Sequence, residues 1–211
     1  MAGTVMDNEL SNIYYQKNEE LYIEGEWHRE IKGLGLNFKN KTVLDLAAGT
    51  GHWEEVFLSL GAGKVIWQDL SEYFYEKAQL RLQGNDNIEF FIGDMLSVPL
   101  ENESVDFVMC RDALFHSPDE KKTVAEIFRV LKEGGYFYLT ARNWRRIIRE
   151  PLNWKSPLKL ISPHIYRFTG KKSIPTAFVL ETYTLSHMNE CGFKVDMVNR
   201  GDSLFSILAS K

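Results

Sequence analysis

Short apolar runs rich in branched and aromatic residues recur along the chain, and the segments between them have helical character. The apolar runs predict strands over residues 41–48, 64–71, 88–94, 105–115 and 136–142. The intervening segments predict helices that stop at or near glycines, over residues 52–63, 71–85 and 117–135. Strand and helix therefore alternate from residue 42 to residue 141, which is typical of parallel β-α-β units.

The predicted helix boundaries have specific capping signals. Ser71 is placed to cap the helix over 71–85. For the helix over 117–135, Ser117 and Glu120 form a capping box, and Pro118 takes the first helical position.

The two ends of the chain extend this pattern. Residues 9–32 predict amphipathic helix with a break at Gly25, and "TYTLSHMNECG" predicts a last helix. Two final strands, joined near Gly201 and Asp202, add an antiparallel edge. We expect one α/β domain over residues 1–211, a three-layer αβα sandwich with a seven-stranded, mostly parallel sheet and an antiparallel C-terminal strand.

Composition narrows the class of protein. The chain has 211 residues, 44% of them hydrophobic and 26% charged, which suits one globular domain. Its two cysteines lie in unrelated contexts, and its five histidines lack ligand spacing, so neither a disulfide framework nor a metal site is expected. With no secretory signal and no long apolar run, we expect a cytoplasmic protein.

Charge is distributed unevenly along the chain. Residues 142–172 hold nine bases and one acid, whereas the rest holds 16 bases and 28 acids. The basic stretch therefore predicts a local surface for an anionic partner rather than a basic domain.

Glycines and acids follow the first predicted strands, where parallel sheets bind ligands. After the first strand come Asp45, Gly49 and Gly51, and glycine lets backbone approach a ligand closely. Glu54 stands where a dinucleotide fingerprint has its third glycine, and a carboxylate there would oppose a pyrophosphate. A nicotinamide or flavin site is therefore disfavoured.

Acids also follow the second and third strands. Asp69 can accept hydrogen bonds from both hydroxyls of a ribose. Asp94 can accept from an exocyclic amine, while the next backbone N–H can donate to a ring nitrogen, and this pair suits adenine. Arg111, Asp112 and His116 follow the fourth strand near the mouth of the sheet.

Five motifs in this order carry a resemblance to a known family: "VLDLAAGTG", "QDLS", "GDM", "DALFH" and "RVLKEGGYFYLTAR". They resemble the class I S-adenosylmethionine-dependent methyltransferases, and most of all the group with the ubiquinone/menaquinone and many small-molecule methyltransferases. The resemblance covers about residues 40–141, and more weakly "ECGF" and the terminal hairpin. It implies a Rossmann-like fold, S-adenosylmethionine as cofactor and S-adenosylhomocysteine as product.

The resemblance also implies cofactor-binding residues. Asp45 would face the methionine ammonium, Asp69 the ribose, and Asp94 the adenine. Arg111 is a departure, because the family often has a small residue there. The expected cofactor contacts are Tyr14, Tyr15, Asp45, Ala47, Gly49, Gly51, Asp69, Leu70, Asp94, Met95 and Arg111.

The same resemblance divides the chain into four parts. Residues 40–141 form the cofactor-binding core, and residues 1–39 an N-terminal helical lid. Residues 142–180 form a basic insertion where this family places a substrate lid, and residues 181–211 form the last helix and terminal hairpin.

The acceptor is expected to be a small, anionic molecule that carries a carboxylate or phosphate, since arginine forks suit both groups. His116 is the candidate general base, needed only if the acceptor is protonated. The expected acceptor contacts are Trp27, His28, Arg142, Arg146, Arg149 and Arg167.

Several alternatives stay open. The basic insertion could lie on an anionic membrane and admit a lipid or quinone, could contact RNA, or could be a solvated cap. The fold could also serve as a non-catalytic binding subunit. We favour the small molecule over nucleic acid, because the chain is acidic elsewhere. Oligomeric state is left open.

Overall fold

The computed structural model describes residues 8–23, 25–142, 180–201 and 204–211. Its centre is one sheet of seven strands: β1 (Thr42–Leu46), β2 (Lys64–Asp69), β3 (Ile88–Ile92), β4 (Val105–Arg111), β5 (Leu131–Arg142), β6 (Lys194–Arg200) and β7 (Leu204–Ser210).

The strand order is β3-β2-β1-β4-β5-β7-β6. Strand β7 runs antiparallel to both of its neighbours, whereas the pairings from β3 to β5 are all parallel. The predicted seven-stranded sheet with one antiparallel strand at the C-terminus is therefore confirmed. Between β1 and β4 the order changes direction, which in open α/β sheets places the ligand site at the carboxyl ends of these two strands.

Helices cover the sheet. They are α1 (Asn8–Ile23), α2 (Glu26–Lys32), α3 (His52–Ser59), α4 (Glu72–Arg81), α5 (Glu120–Val130) and α6 (Glu181–Cys191), with a short 3₁₀ helix at Leu114–His116. The predicted break in the first helical segment is confirmed, since Gly25 has a φ of 70° before α2. Among the described residues, no helix is both long and apolar enough to cross a membrane.

Alternating side chains divide the core between the two faces of the sheet. In β1, Val43 packs with α2 and α3, whereas Leu44 and Leu46 pack on the opposite face with α5. In β4, Met109 belongs to the first face and Cys110 to the second. Because side chains alternate along a strand, Asp45 and Arg111 emerge on the face of α3.

The structure confirms one of the two predicted N-terminal helix caps and contradicts the other. Ser71 caps α4, and its Oγ accepts from the backbone N–H of Phe74 at 3.3 Å. The predicted cap at Ser117 is wrong: Asp119 caps α5 and accepts from the N–H of Lys122 at 3.0 Å. The helix also ends at Val130 rather than at the glycines, because Leu131 already pairs with β4.

Helix α1 is held against the core by charged and polar contacts. The guanidinium of Arg81 in α4 forms ion pairs with Glu19 of α1 and with Glu55 of α3. Tyr73 donates a hydrogen bond to Asn12 at 3.1 Å. These contacts bring the N-terminal helix to the edge of the sheet beside the first glycine turn.

Gly51 provides a test of this packing. It has a φ of 84°, and a Cβ there would lie 3.1 Å from Ala78 and 3.2 Å from Leu82 of the neighbouring segment. Gly84 has a similar φ of 81°, and a Cβ there would have no atom of the described residues within 4 Å, so Gly84→Ala is the matched control. We expect Gly84→Ala to cost about 1–2 kcal/mol of backbone strain and Gly51→Ala a further 1–3 kcal/mol, roughly, of overpacking. Urea unfolding measures both, and equal losses would contradict the crowding.

Candidate functional site

A cleft opens at the carboxyl ends of β1, β2 and β4, at the predicted switch point. It encloses about 880 Å³ of empty space, including its open mouth. The lining residues come from the strand ends, α1, α4 and the 3₁₀ helix: Tyr14, Leu46, Ala47, Gly49, Asp69, Leu70, Ser71, Phe74, Gly93, Asp94, Met95, Arg111, Asp112, Ala113, Phe115, His116 and Arg142.

The turn after β1 forms the floor of the cleft. Ala47 and Gly49 both have left-handed backbone, with φ of 62° and 64°. Trp67 of β2 donates its indole N–H to the carbonyl of Gly49 at 3.0 Å. Among the described residues, a Cβ at Gly49 would come within 4 Å of Tyr14 alone, at 3.8 Å, so the turn presents an open backbone surface to the cleft.

Asp69 links this turn to the start of α4. Its Oδ2 accepts from the N–H of Gly49 at 2.9 Å, and its Oδ1 from the N–H of Ser71 at 2.9 Å. Burial raises the pKa of Asp69, and the backbone N–H bonds act in the opposite direction. Each carboxylate oxygen keeps a lone pair, so Asp69 can also accept bonds from a ligand in the cleft.

The far wall of the cleft suits a flat heterocycle. Met95 and Phe74 contribute apolar surface beside Leu70. Asp94 is fixed in place, because its Oδ1 accepts from the N–H of Leu96 at 2.9 Å and its carbonyl accepts from Gln68 at 3.1 Å. An ordered carboxylate at the edge of an apolar slot can recognise a base through its amino group.

Asp45 lies beneath the glycine turn rather than on the surface of the cleft. It is 1% exposed, and Glu54, in the first turn of α3, is 0% exposed. The two carboxyls lie close enough for each to perturb the ionisation of the other. Burial raises the pKa of Asp45 to about 8, and burial together with the charge of Asp45 holds the pKa of Glu54 well above its usual range. Two such groups cannot both ionise cheaply, so the pair retains a proton at neutral pH.

Arg111 connects the cleft to the N-terminal helices. Its guanidinium lies 4.9 Å from the ring centre of Trp53 and 5.6 Å from that of Trp27, and the two indoles stack at 4.3 Å. It also pairs with Glu30 at 3.5 Å, and Glu30 accepts from the Tyr138 hydroxyl at 3.0 Å. The arginine is therefore held by stacking and by an ion pair.

The side of the cleft formed by the ends of β4 and β5 contains Asp112, His116 and Arg142. Arg142 Nε lies 3.0 Å from Asp112 Oδ2, and Asp112 has a φ of 49°, which costs a non-glycine residue backbone strain. Burial lowers the pKa of His116, an effect that the charge of Asp112 partly offsets and that of Arg142 reinforces. The imidazole is therefore neutral at pH 7 and can accept a proton.

Most of the predicted cofactor residues lie in this one cleft, together with the candidate base. They are Tyr14, Ala47, Gly49, Asp69, Leu70, Asp94, Met95, Arg111 and His116, joined by the predicted acceptor contact Arg142. Arg146, Arg149 and Arg167 fall outside the described residues.

Five predicted site residues lie away from the lining. Asp45 is beneath it, and Gly51 packs against Ala78. Tyr15 faces Lys77, whose Nζ lies 5.3 Å from the ring centre. Trp27 is 4% exposed in the core, and His28 Nε2 lies 3.1 Å from Ser59 Oγ at the C-terminal end of α3. The aromatic pattern of the N-terminal segment therefore serves packing more than it serves the cleft.

The cleft also contains residues that sequence reasoning did not assign. Phe74, Phe115 and Ser71 line it, and Asp112 pairs with Arg142 there. The positions of Asp112 and Phe115 could have been predicted to line the cleft, since both follow β4 within the motif that contains His116. The sequence did not indicate that Phe74 lines the cleft, because Phe74 is an ordinary apolar position of α4.

Comparisons with known proteins show that the chain is similar to methyltransferases. Residues 44–139 match a family model described as "Methyltransferase domain". The demethylmenaquinone methyltransferase of Lactococcus lactis is 43% identical over 135 residues, which cover 61% of this chain and 53% of that protein. The ubiquinone/menaquinone biosynthesis C-methyltransferase of Acidiphilium cryptum is 33% identical over 115 residues, or 53% of this chain and 46% of that protein. The chain spans about half the length of these curated relatives.

Solved structures share the fold. A SAM-dependent methyltransferase from Aquifex aeolicus superposes with a TM-score of 0.65 at 19% identity, covering 86% of this chain and 88% of that one. An S-adenosylmethionine-dependent methyltransferase from Mesorhizobium loti gives a TM-score of 0.67 at 16% identity, covering 83% and 93%.

The buried carboxyl pair predicts how stability depends on pH. The pKa of Asp45 rises from an ordinary 3.8 to about 8 on folding, so the folded state binds the extra proton between these values. The contribution is fully present below the lower value and is lost as pH rises through about 8. We expect the free energy of unfolding to fall between about pH 4 and pH 8, and to fall less in Glu54→Gln, which lacks the second group whose pKa is raised. Urea unfolding across that range measures both, and parallel curves would contradict the pairing.

Proposed function

We propose that this chain, whose residues 44–139 match a model described as "Methyltransferase domain", is a class I S-adenosylmethionine-dependent methyltransferase that binds this cofactor and methylates a small-molecule acceptor. The observation that carries the proposal is the arrangement of acids around the glycine turn: Asp69 on the cleft wall, with Asp45 and Glu54 buried beneath it. Such a site favours a cationic ligand over the pyrophosphate of a dinucleotide.

The residues of the cleft fit this cofactor along its length. Asp69 has lone pairs for the ribose hydroxyls, and Asp94 sits beside the apolar slot of Leu70 and Met95 for adenine. Tyr14 lies beside Gly49, and Arg111 also lines the cleft, so these two residues are proposed to hold the amino-acid end. When bound, S-adenosylmethionine supplies a methyl group made electrophilic by its sulfonium.

The chain's own contribution to the reaction is mainly alignment. Proximity and orientation can supply about 7–11 kcal/mol of a barrier. We propose that the wall formed by Asp112, Phe115, His116 and Arg142 holds the acceptor against the cofactor, since these residues line the same cleft from the β4 side.

His116 is the proposed general base. Its imidazole is neutral at pH 7 and lines the cleft, so it can take a proton from a hydroxyl or ammonium acceptor. An acceptor that arrives as a carboxylate or thiolate would need no base, and His116 would then only shape the pocket.

For the acceptor we propose a small anionic molecule held by Arg142, together with Arg146, Arg149 and Arg167 of the basic insertion. Arg142 lines the cleft, which supports its part in the proposal. Its guanidinium already pairs with Asp112, so the acceptor would have to share or displace that carboxylate.

A quinone-like acceptor is the second candidate. An uncharged acceptor is favoured because the arginines of the cleft are already paired with carboxylates. Within the described part of the cleft, both arginines, Arg111 and Arg142, are paired with a carboxylate, and Phe115 and Met95 add apolar wall. The names of the relatives, which include demethylmenaquinone methyltransferases, agree with such an acceptor. We further propose a cytoplasmic location, supported by two free cysteines.

Asp69→Ala tests the cofactor assignment. Loss of its charge-assisted bonds should weaken S-adenosylhomocysteine binding by about tenfold or more, equivalent to roughly 1.5–3 kcal/mol. Titration calorimetry measures it, with the exposed Asp86→Ala as control variant and NAD as control ligand. Because Asp69 also holds the turn, the same titration with 2′-deoxy cofactor separates the two roles. An equal loss for both ligands would count against ribose binding.

A panel of carboxylate, phosphate and quinol acceptors tests the methyl transfer. With a hydroxyl acceptor, we expect His116→Gln to lower kcat by roughly 10²–10⁴-fold at neutral pH, since the base is lost. Arg142→Gln should raise KM for an anionic acceptor and leave a quinol nearly unaffected. Turnover of quinols alone would overturn the anionic proposal and support the second candidate.

A further inference from the structure

Glu54 is an unusual residue to bury. It lies in the first turn of α3 at 0% exposure, on the same face of the sheet as Asp45. Asp45 Oδ2 and both carboxylate oxygens of Glu54 have no hydrogen-bond partner among the described residues. Buried carboxyls are normally paired with a cation or with several donors, because desolvation is otherwise costly.

The charged groups around the pair do not replace such a cation. Asp69 faces it from the end of β2 and adds a like charge. Arg111 faces it from the end of β4 and attracts Asp45, but its guanidinium pairs with Glu30 and stacks on Trp53. Cys110, also near Asp45, stays a neutral thiol because burial raises its pKa. The pair therefore keeps a proton where a cation would otherwise sit.

The pair is also placed next to the cleft. Asp45 is the last but one residue of β1, and the chain continues from it into Ala47 and Gly49, which line the cleft. A cationic group resting on this turn would face the two carboxyls at short range and in a medium of low dielectric, where charges interact strongly.

We infer that Glu54 is a second carboxyl of the cofactor's cation site, which shares one proton with Asp45 in the free protein and releases it to solvent when the cofactor's ammonium end binds. The inference rests on the proposed function. It adds Glu54 to the residues that the sequence motifs assign to the cofactor, and it adds the release of one proton on binding. The exchange balances, since one proton leaves as one ammonium charge arrives.

Calorimetry in buffers of different ionisation enthalpy tests the proton release. At about pH 6.5 an α-amino group is charged, so S-adenosylhomocysteine brings the ammonium, whereas 5′-methylthioadenosine lacks the whole amino-acid part. We expect about one proton to be released with the first ligand and close to none with the second. Equal release for both ligands would overturn the inference.

The variant Glu54→Gln removes the second carboxyl and keeps its size. We expect it to bind both ligands but to release fewer protons, because Glu54, whose pKa is raised by burial and by the charge of Asp45, is no longer there to hold one. Glu72→Gln, the same change at an exposed position in the first turn of α4, should behave as wild type. A Glu54→Gln protein that releases protons like wild type would exclude Glu54.

If the Glu54→Gln variant does not fold, the pH dependence of ligand affinity in the wild-type protein tests the same inference. Its affinity for S-adenosylhomocysteine should rise by up to about tenfold per pH unit between about pH 6 and pH 7.5, while its affinity for 5′-methylthioadenosine stays level. A level affinity for both would overturn the inference. If neither ligand binds to folded protein, the proposed function itself fails, which is a different outcome from binding without proton release.

Discussion

The bond between Asp69 and the backbone N–H of Gly49 is the interaction on which the rest of the site depends. It ties the turn after β1 to the end of β2, and the indole of Trp67 holds the carbonyl of the same glycine. The other oxygen of Asp69 fixes the start of α4. One carboxylate therefore sets the floor of the cleft and one of its walls, and what remains of its hydrogen-bonding capacity points to a ligand.

Charge is balanced differently on the two sides of this turn. Below it, Asp45 and Glu54 are buried together, and burial raises the pKa of both carboxyls. Beside it, Arg111 and Arg142 are each matched by an acid, Glu30 and Asp112 respectively. The described cleft thus has acidic groups at its floor and arginines paired with acids at its side, an asymmetry suited to a cationic ligand.

The N-terminal helices complete the site from outside the sheet. Arg81 joins α1 to α3 and α4, and this places Tyr14 over Gly49. Trp27 of α2 stacks on Trp53 beneath Arg111. Both helices carry aromatic residues at helical spacing, and only the docking decides which ring reaches the cleft and which fills the core.

The sequence by itself determined the strands, their parallel alternation with helices, and the acids and glycines that follow β1, β2 and β3, because these depend on periodicity and on the rule that strand ends meet at one edge. Only the tertiary structure decided that Asp119 rather than Ser117 caps α5, that Trp27 is core, and that Phe74 lines the cleft. It also brought Glu54 onto Asp45. The physical reason is that these outcomes are set by contacts between segments distant in sequence, where burial and partners change what a side chain does.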